Sequence, residues 1–434
     1  MRHSELLIVA AVSILLFALL RRNRSIQVPL HRLCLLVIIL GAACRVTFCI
    51  FTPTFYAPDE EPHFNYIRYL YENRSFPVQT VRTGAPAKEW EYYQPPLYYL
   101  LSVPIYTVSR RASSEGHHVP VRMIRLLSIL MWGVNVILVL RILDNLRVRD
   151  VFTRTFVVSM VCLLPSYTSL SSTINNDNLL IAMGGAILYL MSRNRSYPNS
   201  ILLGILLGFS MLTKLTAIVY AFAIGGMLLF QWTRRSLQLT SATLHFILIL
   251  LIAGTICSPW AWRNLSLYGG ITAERVANVP EHWPSMFYAL VFVQRYMKES
   301  FWSAAGIHNN IRFLPEAGVY LSYFAFIGLL YGLFSRSKPV RLFSSGDAGA
   351  FLMASAAATA ANIALLFRFG ILYGQAQGRF LFPMLMPISL FTAIGIGSLG
   401  VTKYSRNAHV YAVGFFVAYI LSFTSYTFKI FAQF

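Results

Sequence analysis

The sequence predicts an all-α polytopic membrane protein with about 11–13 transmembrane helices. Three observations predict this fold class. The 434 residues are 56% hydrophobic and only 12% charged, whereas soluble domains carry about 25% charged residues. Apolar runs of roughly the 20 residues needed to cross a bilayer core recur along the chain. Short basic clusters separate many of these runs, as in the cytoplasmic loops of multi-pass proteins.

The apolar runs predict a single membrane domain over residues 1–434, without internal repeats. Twelve candidate spans lie at 5–20, 33–52, 123–143, 155–173, 178–192, 199–213, 215–232, 241–260, 317–335, 348–367, 380–400 and 409–427. A thirteenth candidate, 95–109, is short and contains Pro104.

Basic residues predict the orientation of the chain. The first apolar run ends in Arg21, Arg22 and Arg24, which indicates an uncleaved anchor with its C-terminal end in the cytoplasm. Later basic clusters mark the same side, at 193–195, 234–235, 336–341 and 403–406. Alternation then places three segments outside: an acidic loop at 53–94, a second long loop at 261–316, and a short segment at 368–379.

One conflict arises between Asp59 and Asp177, which are both predicted to lie outside. An even number of crossings must separate them, yet three candidate spans lie between them. The shortest candidate, 95–109, is therefore expected to lie at the interface or to re-enter the membrane.

Net charge and cysteine content exclude other classes of function. The net charge is +20, but the basic residues lie in short inter-span clusters, so no nucleic-acid partner is predicted. The five cysteines lie in or beside apolar runs without metal-ligand spacing, which predicts neither a disulfide framework nor a zinc site.

The acidic loop contains the first candidate site, in the segment from Tyr56 to Tyr66. The adjacent carboxylates of Asp59, Glu60 and Glu61 repel one another, which raises the pKa of at least one of them or recruits a cation. Such a carboxylate can act as a general base toward a hydroxyl, with His63 on the same helical face. Acidic residues also favour a first helical turn, and both interpretations stay open.

Further polar residues interrupt or border apolar runs. Asp177, Lys214 and Arg379 occupy positions where ionisable groups are rare and usually functional. A cation at this depth can hold a phosphate headgroup whose lipid tail stays in the bilayer. The alternatives are an Asp177–Lys214 ion pair inside the bundle and an interfacial anchor at Arg379. Aromatic residues around Tyr93 are typical of an interfacial belt, or of a surface that stacks on a sugar.

These motifs resemble the GT-C superfamily of membrane glycosyltransferases. The segment from Pro58 to Phe64 resembles its acidic first-loop motif, and Asp-Glu followed by His-Phe is similar to the protein O-mannosyltransferases. Other motifs occur in the order found in bacterial glycosyltransferase-39-like proteins, namely Gln94-Pro95-Pro96-Leu97, Asn175-Asn176-Asp177-Asn178, Leu212-Thr213-Lys214, Pro259-Trp260-Ala261-Trp262-Arg263-Asn264 and Gln377-Gly378-Arg379-Phe380. The resemblance runs from about residue 50 to residue 390, with Phe380 where tyrosine is usual.

The resemblance implies a GT-C-like fold with short juxtamembrane helices in the first outer loop. It implies inverting transfer of a sugar from a polyprenyl-phosphate-linked donor to an acceptor hydroxyl, on the periplasmic face of a bacterial inner (plasma) membrane. The acceptor is a glycan, a lipid or a protein, as in cell-envelope glycan biosynthesis. Carried over by position, Asp59 and Glu60 are the catalytic residues and the candidate ligands of a divalent cation, Mg or Mn. The predicted substrate-binding residues are His63, Tyr93, Asp177, Lys214, Arg263 and Arg379.

Two other functions are compatible with the same residues. A transporter or flippase of lipid-linked glycans would use the acidic cluster as an ion site, but it would typically show internal repeats and broken midplane helices. A polymerase or ligase of lipid-linked glycans would share the donor lipid and would depend on a large late outer loop, for which 261–316 is long enough.

Overall fold

The computed structural model describes residues 30–80, 88–112, 116–193, 199–335, 337, 346–400 and 407–433. In this part the chain is helical, and its only β-type pairing is an isolated antiparallel bridge between Ala305 and Ile311. The predicted all-α architecture is confirmed. The span predicted at 5–20, its arginines 21–24, and the basic residues at 195, 336–341 and 403–406 lie outside the described residues.

Sixteen α-helices make up most of the described chain. They are α1 Leu30–Phe51, α2 Glu60–Asn73, α3 Leu97–Ala112, α4 His118–Asn145, α5 Val151–Leu163, α6 Pro165–Leu170, α7 Asp177–Ser192, α8 Ser200–Met211, α9 Val219–Thr233, α10 Leu239–Tyr268, α11 Glu274–Ala277, α12 Met286–Trp302, α13 Pro315–Ser335, α14 Gly346–Tyr373, α15 Leu385–Ser398 and α16 Ala408–Phe431. Three 3₁₀ helices accompany them, at Leu215–Ile218, Ile307–Asn309 and Gly378–Met384.

Eight helical stretches of the described chain are long and apolar enough to cross a membrane. They are α1, α4, Leu215–Thr233, α10, α13, Ala348–Tyr373, Gly378–Ser398 and α16. Three shorter apolar helices, α5, α7 and α8, accompany them. The protein is therefore a multi-pass membrane protein, as its hydropathy predicts.

Helix α3 removes the conflict in topology. It covers the doubtful candidate 95–109, has only 16 residues, and is not among the candidate spans. It packs against α2 and α4, and Leu97 N donates to Leu212 O at the end of α8 (3.0 Å). Asp59 and Asp177 line the same cavity, so both aspartates lie on the same side of the bundle.

The helices pack closely against one another. The main contacting pairs are α8 with α10, α9 with α14, α13 with α15, and α4 with α7. At the α13–α15 contact, a Cβ added to Gly328 would overlap the backbone of Gly395. Small residues let helix backbones approach in this way, which drives association inside a bilayer.

Candidate active site

Four polar side chains from distant parts of the sequence meet in one cavity of about 230 Å³. Asp59 precedes α2, Asp177 begins α7, Lys214 precedes the 3₁₀ helix after α8, and Arg379 lies in the 3₁₀ helix before α15. Each position is the end of a helix on the same side of the bundle. The sequence-predicted clustering of these four residues is thus seen in the fold.

Asp59 faces this cavity because its backbone turns it away from its own helix. Its φ of 57° and ψ of 12° lie in the left-handed region, and its side chain makes no capping bond to α2. Such a conformation costs free energy in a non-glycine residue and is typical of functional sites. Asp59 Oδ2 accepts a bond from Arg379 Nη2, and Oδ1 accepts one from Trp90 Nε1 (3.4 Å).

Each of the three adjacent carboxylates, Asp59, Glu60 and Glu61, pairs with a different cation. Besides the Asp59–Arg379 pair, Glu61 pairs with Lys88 at the surface (2.7 Å). Glu60 is fully buried against Arg125, which binds it through two nitrogens at 2.6 and 2.8 Å. The expected repulsion is therefore relieved by pairing, and α2 does begin with acidic residues as its sequence predicts.

Glu60 does not fit the predicted role of a metal ligand beside Asp59. Its two oxygens also accept backbone N–H groups, from Phe55 (3.1 Å) and Ile174 (3.2 Å). Within the described residues, no group of three or more His, Cys, Asp or Glu side chains is arranged to hold a metal ion. The arrangement of Glu60 is that of a positioning residue, which fixes the loop carrying Asp59.

Asp177 and Lys214 form the second ion pair of the cavity, with Oδ1 and Nζ 2.5 Å apart. Asn175 Oδ1 accepts the backbone N–H of Asp177 (2.9 Å) and so orients the start of α7. Asp177 Oδ2 is buried without a hydrogen-bond partner. The predicted ion pair within the bundle is present, and it opens onto the same cavity as Asp59.

Arg379 carries unused hydrogen-bonding capacity. Its Nε and Nη1 atoms are buried without partners, while Nη2 holds Asp59. The Phe380 ring contacts both cations, with its centroid 5.1 Å from Lys214 Nζ and 5.5 Å from the Arg379 guanidinium carbon. Leu365, Leu366 and Phe369 add an apolar wall. The cavity thus joins free guanidinium donors to an apolar surface, which suits a lipid phosphate.

Burial shifts the protonation of the acidic and basic groups around Asp59. For Asp59 itself, burial favours the neutral form, but the Arg379 guanidinium, together with His63 and Lys214, outweighs it and lowers the pKa to about 2. Burial lowers the pKa of His63 to about 3 although Asp59 opposes this, and His63 Nδ1 lies 2.8 Å from the Tyr99 hydroxyl. Burial and the Asp59 charge raise the pKa of Glu91 to about 8, so this carboxyl is mostly protonated at neutral pH.

A second cavity of about 410 Å³ adjoins the first. The two share Asp59, Glu91, Tyr93 and Gln375. We call the cavity lined by Lys214 and Arg379 the cationic chamber. We call the cavity lined by Trp90 and Gln377 the polar chamber. Asp59 stands at their junction, with one carboxylate oxygen bonded toward each side.

Comparison with known proteins agrees with this architecture. The family model of dolichyl-phosphate-mannose-protein mannosyltransferases matches residues 117–262, about a third of the chain. ArnT from Cupriavidus metallidurans bound to undecaprenyl phosphate superposes with a TM-score of 0.57 at 12% identity, over 91% of this chain and 77% of that one. This chain has the GT-C fold. In fold it resembles ArnT and the oligosaccharyltransferase described next, as its motifs predict.

Other solved structures support the same assignment of fold. The oligosaccharyltransferase of Archaeoglobus fulgidus in the apo form has a TM-score of 0.55 at 11% identity. The match covers 90% of this chain but 56% of the oligosaccharyltransferase, so the present chain spans about half the length of that enzyme. Among curated protein sequences, no match is found.

Arg263 does not reach either chamber of this GT-C fold. Its Nη2 donates to Pro77 O (2.6 Å), and its guanidinium carbon lies 4.6 Å from the Trp260 ring centroid. Nearby, Tyr268 Oη accepts the backbone N–H of Gln79 (2.9 Å). Arg263 is predicted to bind substrate, but in this structure it lines neither chamber. Its hydrogen bond instead links the first outer loop to the C-terminal part of α10.

Sequence reasoning does not single out Arg125, Glu91 or Trp90. Arg125 carries a usable signal, because an arginine inside the apolar run 123–143 is costly without a buried partner. Glu91 carries none, since its importance depends on burial and on the approach of Asp59 from elsewhere in the chain. Trp90 looks like any other aromatic residue of the outer loop.

Gly378 is expected to be required for the position of Arg379. A Cβ at Gly378 would overlap the backbone nitrogen of Phe301, whereas one at Gly254 would meet no atom within 4 Å. Gly378 N also donates to Ser300 Oγ (2.8 Å). Gly378→Ala should therefore displace the 3₁₀ helix that carries Arg379 and lower the free energy of unfolding by about 1–3 kcal/mol, the usual cost of overpacking a filled position. Gly254→Ala is the matched control, and equal thermal stability of the two variants would contradict the close packing at Gly378.

Proposed function

We propose that this chain is a glycosyltransferase of the EC 2.4 class. It transfers a sugar from a polyprenyl-phosphate-linked donor to an acceptor hydroxyl, with inversion, on the periplasmic face of a bacterial inner membrane. The observation that carries the proposal is the cationic chamber, in which a buried arginine and a half-buried lysine border an apolar wall and line one cavity with Asp59. ArnT, one of the GT-C neighbours, has been crystallised with undecaprenyl phosphate.

The donor phosphate is held by Arg379 and Lys214 in this proposal. The free Nε and Nη1 of Arg379 supply two charged donors on different edges of the guanidinium, and a bidentate fork forms once Nη2 exchanges Asp59 for a phosphate oxygen. Lys214, whose Nζ lies 5.1 Å from the Phe380 ring centroid, adds a point charge. The prenyl chain runs along Leu365, Leu366 and Phe369 toward the bilayer.

Asp59 is the proposed general base. The acceptor O–H proton passes to the Asp59 carboxylate while the acceptor oxygen bonds to the anomeric carbon. The bond from that carbon to the phosphate oxygen breaks, its electron pair stays on the phosphate, and polyprenyl phosphate leaves. A carboxylate with a pKa of about 2 is a weak base. Bound phosphate raises the Asp59 pKa and makes the carboxylate a stronger base, because the phosphate charge offsets the Arg379 guanidinium that lowers this pKa.

The other predicted residues position these groups. Asp177 orients Lys214, and Glu60 fixes the loop of Asp59 through Arg125. His63 and Tyr93 border the reacting hydroxyl from the walls of the chamber. A divalent cation enters no step of this mechanism, because Glu60 is engaged away from the cavity.

Binding of the carrier lipid tests the proposal. Native mass spectrometry of the purified protein should show undecaprenyl phosphate bound in preference to phosphatidylglycerol. Lys214→Ala and Arg379→Ala should each lower that affinity by about 10- to 100-fold, the range of one to two charge-assisted hydrogen bonds. Arg295→Ala is the matched control, since Arg295 is an exposed cation outside both chambers.

Two outcomes would contradict the proposal. One is a wild type that binds undecaprenyl phosphate no better than phosphatidylglycerol. The other is an affinity that falls as much in Arg295→Ala as in the two chamber variants, because the cations would then act only as general surface charge.

A further inference from the structure

The polar chamber differs from the cationic chamber in chemistry. Its walls are aromatic side chains, amides and carboxylates, contributed mainly by Trp90, Tyr93, Tyr296, Tyr373, Asn278 and Gln377. Among the described residues that line it, none is a lysine or an arginine, whereas Asp59, Glu91 and Glu281 are acidic. Arg312 does not line the chamber, although its guanidinium carbon lies 4.6 Å from the Tyr296 ring centroid. Such a chamber disfavours an anionic occupant.

One buried group on the wall that this chamber shares with the cationic chamber lacks a partner. Glu91 is only 8% exposed, and its Oε2 has no hydrogen-bond partner. Buried polar atoms are almost always paired in folded proteins, so an orphaned carboxyl oxygen beside a cavity indicates a partner that binds there. A carboxyl that is mostly protonated can both donate to and accept from a hydroxyl.

We propose that the polar chamber is the acceptor site and that it takes a saccharide without negative charge. Aromatic faces stack on the apolar faces of sugar rings, while amides and carboxyls bond the hydroxyl groups around them. The chamber volume of about 410 Å³ accommodates one or two sugar rings. This inference rests on the proposed function and names the acceptor class.

The position of Asp59 gives the chamber its role. Asp59 Oδ2 faces Arg379 in the cationic chamber, and Oδ1 faces Trp90 at the edge of the polar chamber. Inverting displacement requires the acceptor hydroxyl and the departing phosphate to lie on opposite sides of the anomeric carbon. A saccharide in the polar chamber brings its hydroxyl to Asp59 from the side away from Lys214.

Ligand-observed saturation-transfer NMR tests this inference. The full-length protein is placed in lipid nanodiscs, because glycoside detergents would compete for the chamber. The probes are the methyl glycosides of glucose, galactose, mannose and N-acetylglucosamine. Methyl glucuronide is the matched anionic control, and a serine- and threonine-containing peptide represents the protein class of acceptor. At least one neutral glycoside should bind, while methyl glucuronide and the peptide should not.

Variants connect binding to the chamber. Tyr373 lines only the polar chamber, so Tyr373→Ala should weaken glycoside binding about fivefold or more, and Tyr373→Phe should retain it, because the ring makes the contact. Tyr320→Ala, at a tyrosine 62% exposed and outside both chambers, should change nothing. Unchanged undecaprenyl phosphate binding by Tyr373→Ala verifies that the variant is folded.

The outcomes separate this inference from the proposed function. If the carrier binds but no neutral glycoside does, the acceptor inference is wrong while the transferase proposal stands. Equal binding of methyl glucuronide, binding of the peptide alone, or full retention by Tyr373→Ala would also overturn it. Glycoside binding without carrier binding would contradict the transferase proposal instead.

Discussion

Asp59→Asn is expected to lower sugar transfer by about 10²- to 10⁴-fold, the contribution typical of a positioned general base. The amide keeps the size of the side chain but cannot take the acceptor proton. Because the substitution also removes the charge that Arg379 now pairs with, undecaprenyl phosphate should bind at least as tightly as in the wild type. The measurement is release of the carrier from a lipid-linked sugar that the wild type accepts.

Glu61→Gln provides the matched control for this variant. Glu61 is the second residue after Asp59, but it pairs with Lys88 at the surface rather than with a group in the cavity. Its transfer rate should stay within about threefold of the wild type, since exposed ion pairs contribute little. A wild-type rate for Asp59→Asn, or an equal loss for Glu61→Gln, would remove the base from the mechanism.

The buried Glu60–Arg125 pair is expected to give the largest effect on stability. Arg125→Met should lower the free energy of unfolding by about 3–5 kcal/mol, because it leaves a carboxylate inside the protein without its cation. The lost guanidinium also bonds the carbonyls of Cys49, Thr52 and Pro53. Thermal unfolding of the protein in lipid nanodiscs measures the change.

The double variant Glu60→Gln with Arg125→Met distinguishes the charge from the packing. Removing both charges should recover much of the loss, since a buried ion pair is often no more stable than an uncharged substitute. Additive losses from the two substitutions would contradict the ion-pair account. Lys88→Met, at the exposed partner of Glu61, should change stability by less than about 1 kcal/mol.

Hydropathy predicts most of this fold because each span must satisfy its backbone bonds internally and present an apolar surface. Helix α3 shows the limit of that reasoning. Its sequence is apolar enough to suggest a short span, yet Tyr99 stacks on Tyr66, with ring centroids 3.9 Å apart, and Leu97 bonds to Leu212. Such tertiary contacts decide between a span and a juxtamembrane helix, and composition does not encode them.

The sequence predicts those site residues whose charge conflicts with the apolar residues around them. Asp177, Lys214 and Arg379 border apolar runs, where charge is costly, and the fold brings them to one cavity. Arg263 has the same sequence signature but bonds to Pro77 instead. The polar chamber could not be predicted, because Glu91 gains its environment only when Asp59 and the segment around Gln375 close around it.

In the proposed mechanism, Arg379 and Lys214 hold a polyprenyl phosphate opposite Asp59. A cryo-EM structure of the protein in nanodiscs with added undecaprenyl phosphate locates the bound carrier. Phosphate density is expected within hydrogen-bond distance of the Arg379 guanidinium, with Lys214 Nζ beside it and the prenyl chain along Leu365 and Phe369. Carrier density elsewhere on the protein, with the cationic chamber empty at saturating lipid, would contradict it.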